Sequence, residues 1–106
     1  MNGWIRVCHT AELLPGEYQV AWDGDTPIAV FNLDGELYAI EDVCTHDGGE
    51  LAGGPVEGYE IECLRHGARF DLRTGAALSP PAYTPTTVFP VRREEGAVWT
   101  RDDRGL

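Results

Sequence analysis

Two short cysteine and histidine pairs constrain this chain more than any other feature: Cys44-Thr45-His46, and Cys63-Leu64-Arg65-His66 after a spacer of sixteen residues. Each pair carries one thiol and one imidazole, so two neighbouring loops can bring four soft or borderline metal ligands to one point. Two thiolates and two imidazoles are a donor set for a tetrahedral structural zinc ion. They are also the donor set of a binuclear iron-sulfur centre with cysteines on one iron and histidines on the other. In either case the rest of the chain has to hold two loops in fixed relation.

The flanking sequence suits that task. Trp4 to Cys8 alternates bulky apolar with other residues, as a half-buried strand does, and Thr10 to Leu14 has room for one helical turn before Pro15-Gly16. Strands are predicted over Tyr18 to Trp22 and Pro27 to Leu33. Asp34-Gly35 then marks a hairpin into Glu36 to Glu41, which leads to Cys44. From Asp47 to Gly58 five glycines and Pro55 argue against any regular element.

Tyr59 to Leu64 reads as a further strand ending at Cys63, and Ala68 to Leu72 as its return, so the second pair sits at a hairpin tip. Ser79-Pro80-Pro81 excludes helix and central strand. Thr86 to Val91 and Ala97 to Arg101 are predicted to pair across Glu94-Glu95-Gly96, with a frayed tail from Arg101 to Leu106. Many short strands without a long helix indicate an all-β fold, an antiparallel sandwich or barrel base carrying the two ligand hairpins.

Size and charge narrow the function. With 106 residues the chain fits one small domain, residues 1–106, of the kind that gains from a metal staple, and a second catalytic domain does not fit. A net charge of -10 repels phosphate backbones and anionic lipid heads, so neither nucleic acid nor membrane is an expected partner, whereas a basic protein surface is. All eight cations are arginines. Arg65, Arg69 and Arg73 cluster around the second pair, as either a solvated loop face or a local docking patch. No secretory leader and no apolar run near the ~18 residues of a membrane span is read, which points to the cytoplasm. Cys8 lacks a disulfide partner once the two pairs are assigned and reads as a core residue, and His9 as a surface residue after the first strand.

The order of ligands favours two irons. A zinc knuckle commonly takes like ligands from each hairpin, whereas here each loop supplies one Cys and one His, as a binuclear cluster can use. On these motifs the chain resembles the Rieske ferredoxin family, whose signature is Cys-x-His, a spacer of similar length, and Cys-x-x-His. The glycine-rich spacer, His66-Gly67, Arg73-Thr74-Gly75 and Ser79-Pro80-Pro81 extend the likeness over nearly the whole chain. The resemblance implies the Rieske-like fold, with a cluster-binding part at about residues 42–83. It implies one [2Fe-2S] cluster, with Cys44 and Cys63 on one iron and His46 and His66 on the other. The Pro loop would cover the cluster, and Gly48, Gly49 and Gly67 would either let backbone amides approach its sulfides or serve as ordinary turns.

Departures from the respiratory branch of the family carry information too. The positions of that branch's disulfide cysteines read Gly49 and Arg65, and those of its cluster-facing hydroxyls read Ala68 and Phe70. The resemblance therefore implies a reduction potential at the low end of the Rieske range, about -150 mV. The expected role is a soluble, monomeric carrier of single electrons from a flavin-dependent ferredoxin reductase to a terminal non-haem iron oxygenase. No catalytic residue is expected, because a terminal oxygenase needs two further histidines and a carboxylate, and only His9 remains. The alternatives are the Rieske-like small subunit of an assimilatory nitrite reductase, and a zinc-stabilised β interaction module without a redox role.

Overall fold

Strand β3 (Thr26–Leu33) is the spine of the molecule in the computed structural model, which describes residues 3–105. Its apolar, β-branched run Ile28 to Phe31 is buried together with Asn32, as a strand covered on both faces requires. On one side β3 pairs antiparallel with β2 (Tyr18–Asp23), and on the other with β4 (Glu36–Glu41). The β3–β4 hairpin forms as expected. Asp34 and Gly35 both take positive φ (53° and 96°), which a two-residue hairpin turn of this hand demands, and Asn32 Oδ1 accepts the Gly35 N–H at 2.8 Å.

Two further antiparallel sheets flank this one. The first joins β1 (Ile5–His9), β10 (Ala97–Thr100) and β9 (Val91–Glu94) in the order β1-β10-β9. The second joins β5 (Val56–Glu57), β6 (Glu60–Glu62) and β7 (Arg69–Asp71). The fold is all-β and antiparallel, as the alternation of short strands and turns indicated. Among the described residues a single 3-10 turn, Thr10–Glu12, follows β1, and His9 caps it by accepting the Ala11 N–H on Nδ1 at 3.0 Å.

Three local expectations are corrected. Val56–Glu57 forms a short strand inside the glycine-rich spacer, because it pairs with Glu60–Ile61 across a turn with Gly58 at positive φ. The run Thr86 to Val91 does not act as one strand. Val88–Phe89 (β8) pairs with β4, and only beyond Pro90 does the chain join β10, as β9; proline has no N–H for a ladder and marks the step between sheets. The tail is tied down through Arg104, whose guanidinium spans Glu41 (3.2 Å) and Asp102 (2.8 Å), while Thr26 donates to Asp102 at 2.7 Å; Leu106, also expected to fray, lies outside the described residues.

Apolar side chains gather into two cores. One, on the side of β1 and β10, contains Cys8, Leu13, Ile28, Val30, Ala39, Phe89 and Val98. The other lies under the ligand loops and includes Ala29, Phe31, Ile40, Leu51, Ile61, Phe70 and Leu72, with Cys44 and Cys63 among them. Alternate residues of β3 feed the two, since successive side chains on a strand point to opposite faces.

Candidate metal centre

Hairpins deliver both ligand loops. The first loop leaves the end of β4, and the second joins β6 to β7, in the register Glu62 opposite Arg69. The two loops close in the same way. The Cys44 N–H donates to Gly49 O and the Cys63 N–H to Ala68 O, five residues on in each case. The Gly48 and Gly67 N–H groups return to the carbonyls of Cys44 and Cys63 at 2.7 and 2.9 Å. Both glycines take positive φ (79° and 75°) with open space where a Cβ would stand, so backbone conformation rather than crowding selects glycine there. One closed hydrogen-bonded ring is thus built twice, with the histidine two residues after cysteine in the first loop and three in the second.

These bonds decide between the two readings of the glycines. The amides of Gly48 and Gly67 are occupied by cysteine carbonyls, and that of Gly49 by Asp47 Oδ1 at 2.9 Å. They serve as turns. The backbone amides of His46 and Asp47 favour the Cys44 thiolate against the effect of burial.

The donors are segregated. Cys44 and Cys63 are essentially without exposure, and their sulfurs and an Asp47 carboxylate oxygen lie within 4.8 Å of one another. Among the described residues no imidazole nitrogen joins that group. The His46 and His66 rings instead meet edge to face at the exposed end of the site, 4.9 Å between centroids. Asp47 is held by its neighbours rather than free to bind metal, through the Gly49 amide and Arg65 at 3.5 Å. These contacts, the amide first, hold its carboxyl below the usual carboxylate range. Burial pushes the Cys44 thiol up, with the neighbouring Cys63 adding to the rise. Two buried thiols side by side become thiolates only against a compensating cation. A sulfur floor and a nitrogen mouth fit a binuclear cluster better than one tetrahedral ion, which needs all four donors at one distance.

Surrounding contacts lock the loops. Asp42, two residues before Cys44, is buried, and its Oδ1 accepts the Leu51 and Ala52 amides at 2.8 and 2.7 Å, tying the start of the first loop to its exit. Thr45 Oγ1 donates to Thr84 O, so the segment after Ser79-Pro80-Pro81 lies against the first loop, with Ala82 in the cysteine-side core. Ser79 Oγ accepts the Arg69 amide at 3.1 Å. At Gly54 a Cβ would stand 2.0 Å from Glu62 O, so the spacer presses directly on the strand that carries Cys63. Thr45 and Ser79 lie in motifs that the sequence marked, whereas Asp42 and the close approach at Gly54 were not singled out from it. An aspartate closing a strand just before a turn is the one signal that could have marked Asp42.

Gly49 and Arg65 are neighbours, as the resemblance implied. A Cβ on Gly49 would meet the Arg65 guanidinium at 3.1 to 3.2 Å, and the Arg65–Asp47 ion pair bridges the loops there. The three arginines form a paired loop face rather than a free cationic patch: Arg69 meets Glu60 and Glu62, and Arg73 meets Asp71 and lies over the Tyr59 ring at 4.1 Å.

The chain as a whole is similar to known proteins. The sequence pattern of the Rieske [2Fe-2S] domain matches residues 3–90. Ferredoxin CarAc of Metapseudomonas resinovorans is 36% identical over 102 residues, covering 95% of each chain. The biphenyl dioxygenase ferredoxin subunit of Pseudomonas sp. (strain KKS102) is 42% identical over 93 residues, 86% of this chain and 84% of that one. Among solved structures, a chain in the complex of reduced oxygenase and oxidised ferredoxin in carbazole 1,9a-dioxygenase superposes with a TM-score of 0.88 at 35% identity, covering 95% of this chain and 94% of that one.

Proposed function

The chain belongs to the Rieske [2Fe-2S] family, and from that premise we propose that it is a ferredoxin component of an oxygenase system, carrying single electrons from a flavin-dependent reductase to a terminal non-haem iron oxygenase. The observation that carries this reading is the segregated donor set, with thiols on the floor and imidazoles at the surface. The bound cofactor is a [2Fe-2S] cluster, which supplies a one-electron couple that needs no substrate chemistry from the protein. Cys44 and Cys63 would hold it from below, and His46 and His66 from the exposed side, where a partner can approach.

The chain's own residues do the rest. The paired hydrogen-bonded rings hold the cysteines in fixed relation, which lowers the reorganisation needed on each change of charge. Ile61, Phe70 and Leu72 keep water from the sulfur end. Ala68 and Phe70, where the resemblance would otherwise put hydroxyls, are fully buried and offer no side-chain donor. This supports a potential at the low end of the Rieske range. A reducing, cytoplasmic setting suits three cysteines without a disulfide; among the described residues no helix is long and apolar enough to cross a membrane. We also read residues 1–106 as one domain and residues 42–83 as its cluster-binding part.

Metal and sulfide analysis of the purified protein tests the proposal. Two irons and two acid-labile sulfides per chain are expected, lost together in Cys63→Ser, with one-electron reduction by NADH and a flavin reductase. A single zinc, or a cluster that no reductase reduces, would overturn it.

A further inference from the structure

Strand β2 projects beyond the core that its sheet covers. Residues directly opposite on paired strands share a face. Val20 and Tyr18 stand opposite Ala29 and Phe31, yet the β3 residues are covered and the β2 residues open. Tyr18, Val20 and Trp22 are 45%, 39% and 64% exposed, so an apolar stripe runs the length of an edge strand. The glycine-rich spacer faces it across a groove. One opening of about 420 Å³ lies between Tyr18 and Gly54, and another of about 420 Å³ between Trp22 and Gly48, at the first ligand loop.

Charge decides what can occupy the groove. Thirteen of the eighteen acidic residues lie between Arg6 and Arg65, a stretch without one lysine or arginine. Glu17, Asp34 and Glu50 line the groove itself. A second copy of this chain would set carboxylate against carboxylate, and nucleic acid or anionic lipid would be repelled as well. A basic protein surface that offers an apolar or aromatic side chain matches both the rim and the stripe. The tip differs in character, with Leu64 and Tyr83 exposed and Arg65 paired with Asp47.

We propose that the groove between β2 and residues 48–58 is a docking surface for a basic protein partner, separate from the imidazole tip. The inference rests on the carrier reading, in which one small protein has to meet an electron donor and an electron acceptor. Two separate surfaces, an acidic groove with an apolar stripe and a tip that carries the imidazoles, let it distinguish them.

Horse-heart ferricytochrome c, a basic haem protein, serves as the probe. At low ionic strength it should protect the backbone amides of Tyr18–Asp23 and residues 48–58 from hydrogen exchange, and the protection should fade with salt. Trp22→Ser and Glu50→Lys should each slow its reduction by the reduced protein about fivefold or more, while Leu14→Ser, an exposed apolar change outside the groove, stays near wild type. Unchanged visible absorbance of each variant confirms that the cluster is intact. Protection confined to residues 64–66 and Tyr83, or unchanged rates in both groove variants, would overturn the proposal. Absence of iron would defeat the carrier reading alone, because the exchange footprint still decides whether a basic protein binds the groove.

Discussion

Cys8 and Cys44 show how position separates an inert thiol from a candidate ligand. Both are buried, but Cys8 packs among Leu13, Val30 and Val98, away from the other cysteines, and burial pushes its thiol up. A raised pKa leaves little thiolate at neutral pH, and the thiolate is the reactive form. The cluster-loaded protein should therefore show no reaction with a thiol reagent until it is unfolded, and Cys8→Ala should lower stability by about 1 kcal/mol. Rapid labelling of the native protein at Cys8 would contradict this. Asp42 makes the opposite case, of a residue whose importance the sequence conceals. Asp42→Ala strands two amides, of Leu51 and Ala52, and should cost about 2–4 kcal/mol in urea unfolding, while Asp42→Asn, which keeps an acceptor oxygen, should recover most of it. Equal losses in the two variants would mean that charge, not hydrogen bonding, secures the loop. The four candidate ligands were legible because they lie in two short contiguous motifs. Asp42 and Gly54 were not, since their partners are nine residues or more away along the chain or on another strand, and only the folded loops bring them together.

Among the elements, hairpins joined by short turns were the readable ones, because alternation and turn residues are local properties. The β3–β4 hairpin and the second ligand hairpin appear where Asp34-Gly35 and His66-Gly67 place them. What local pattern could not tell was which strands pair after a proline. Pro90 hands the chain from β4 to β10, a choice made by the sheets on either side. The tail was misjudged for a similar reason. Arg104 lies over the Phe89 ring and reaches Glu41 at the end of β4, just before the first ligand loop. The Arg104 guanidinium, with help from the Thr26 hydroxyl, holds the Asp102 carboxyl well below the usual carboxylate range. A depressed carboxylate pKa contributes stability that is fully present above the unfolded value near 3.8 and is lost as pH falls through the lower folded value. Hydrogen exchange at the Asp102 amide, which donates to Asp23, should thus be protected at neutral pH and open as the solution is acidified below about pH 4. Arg104→Ala should open it at neutral pH as well. A tail equally protected at both pH values in the variant would show that the ion pairs do not hold it.

At the scale of the whole molecule, the two cores give the protein halves of unequal self-sufficiency. The core of Cys8, Ile28, Val30 and Val98 is enclosed by β1, β3, β4 and β10, and needs no metal. The cysteine-side core is closed by a sheet whose strands have only two or three residues each, and it contains both thiols that would hold the cluster. Strands so short are marginal without other support. A cluster held by Cys44, His46, Cys63 and His66 would supply that support covalently and join the two loops. Without it, the buried thiols and the neighbouring loops rely on the Asp42 and Thr45 contacts. Removing the cluster with chelator and reductant should accordingly release residues 42–83 while the remainder stays folded, so that hydrogen exchange separates into two regions rather than accelerating uniformly. Amides of β1, β3 and β10 should keep their protection, and those of β6 and β7 should lose it. Uniform loss across all three sheets would show instead that the β base and the cluster-binding part fold as one cooperative unit, which would also remove the physical ground for treating residues 42–83 as a distinct part.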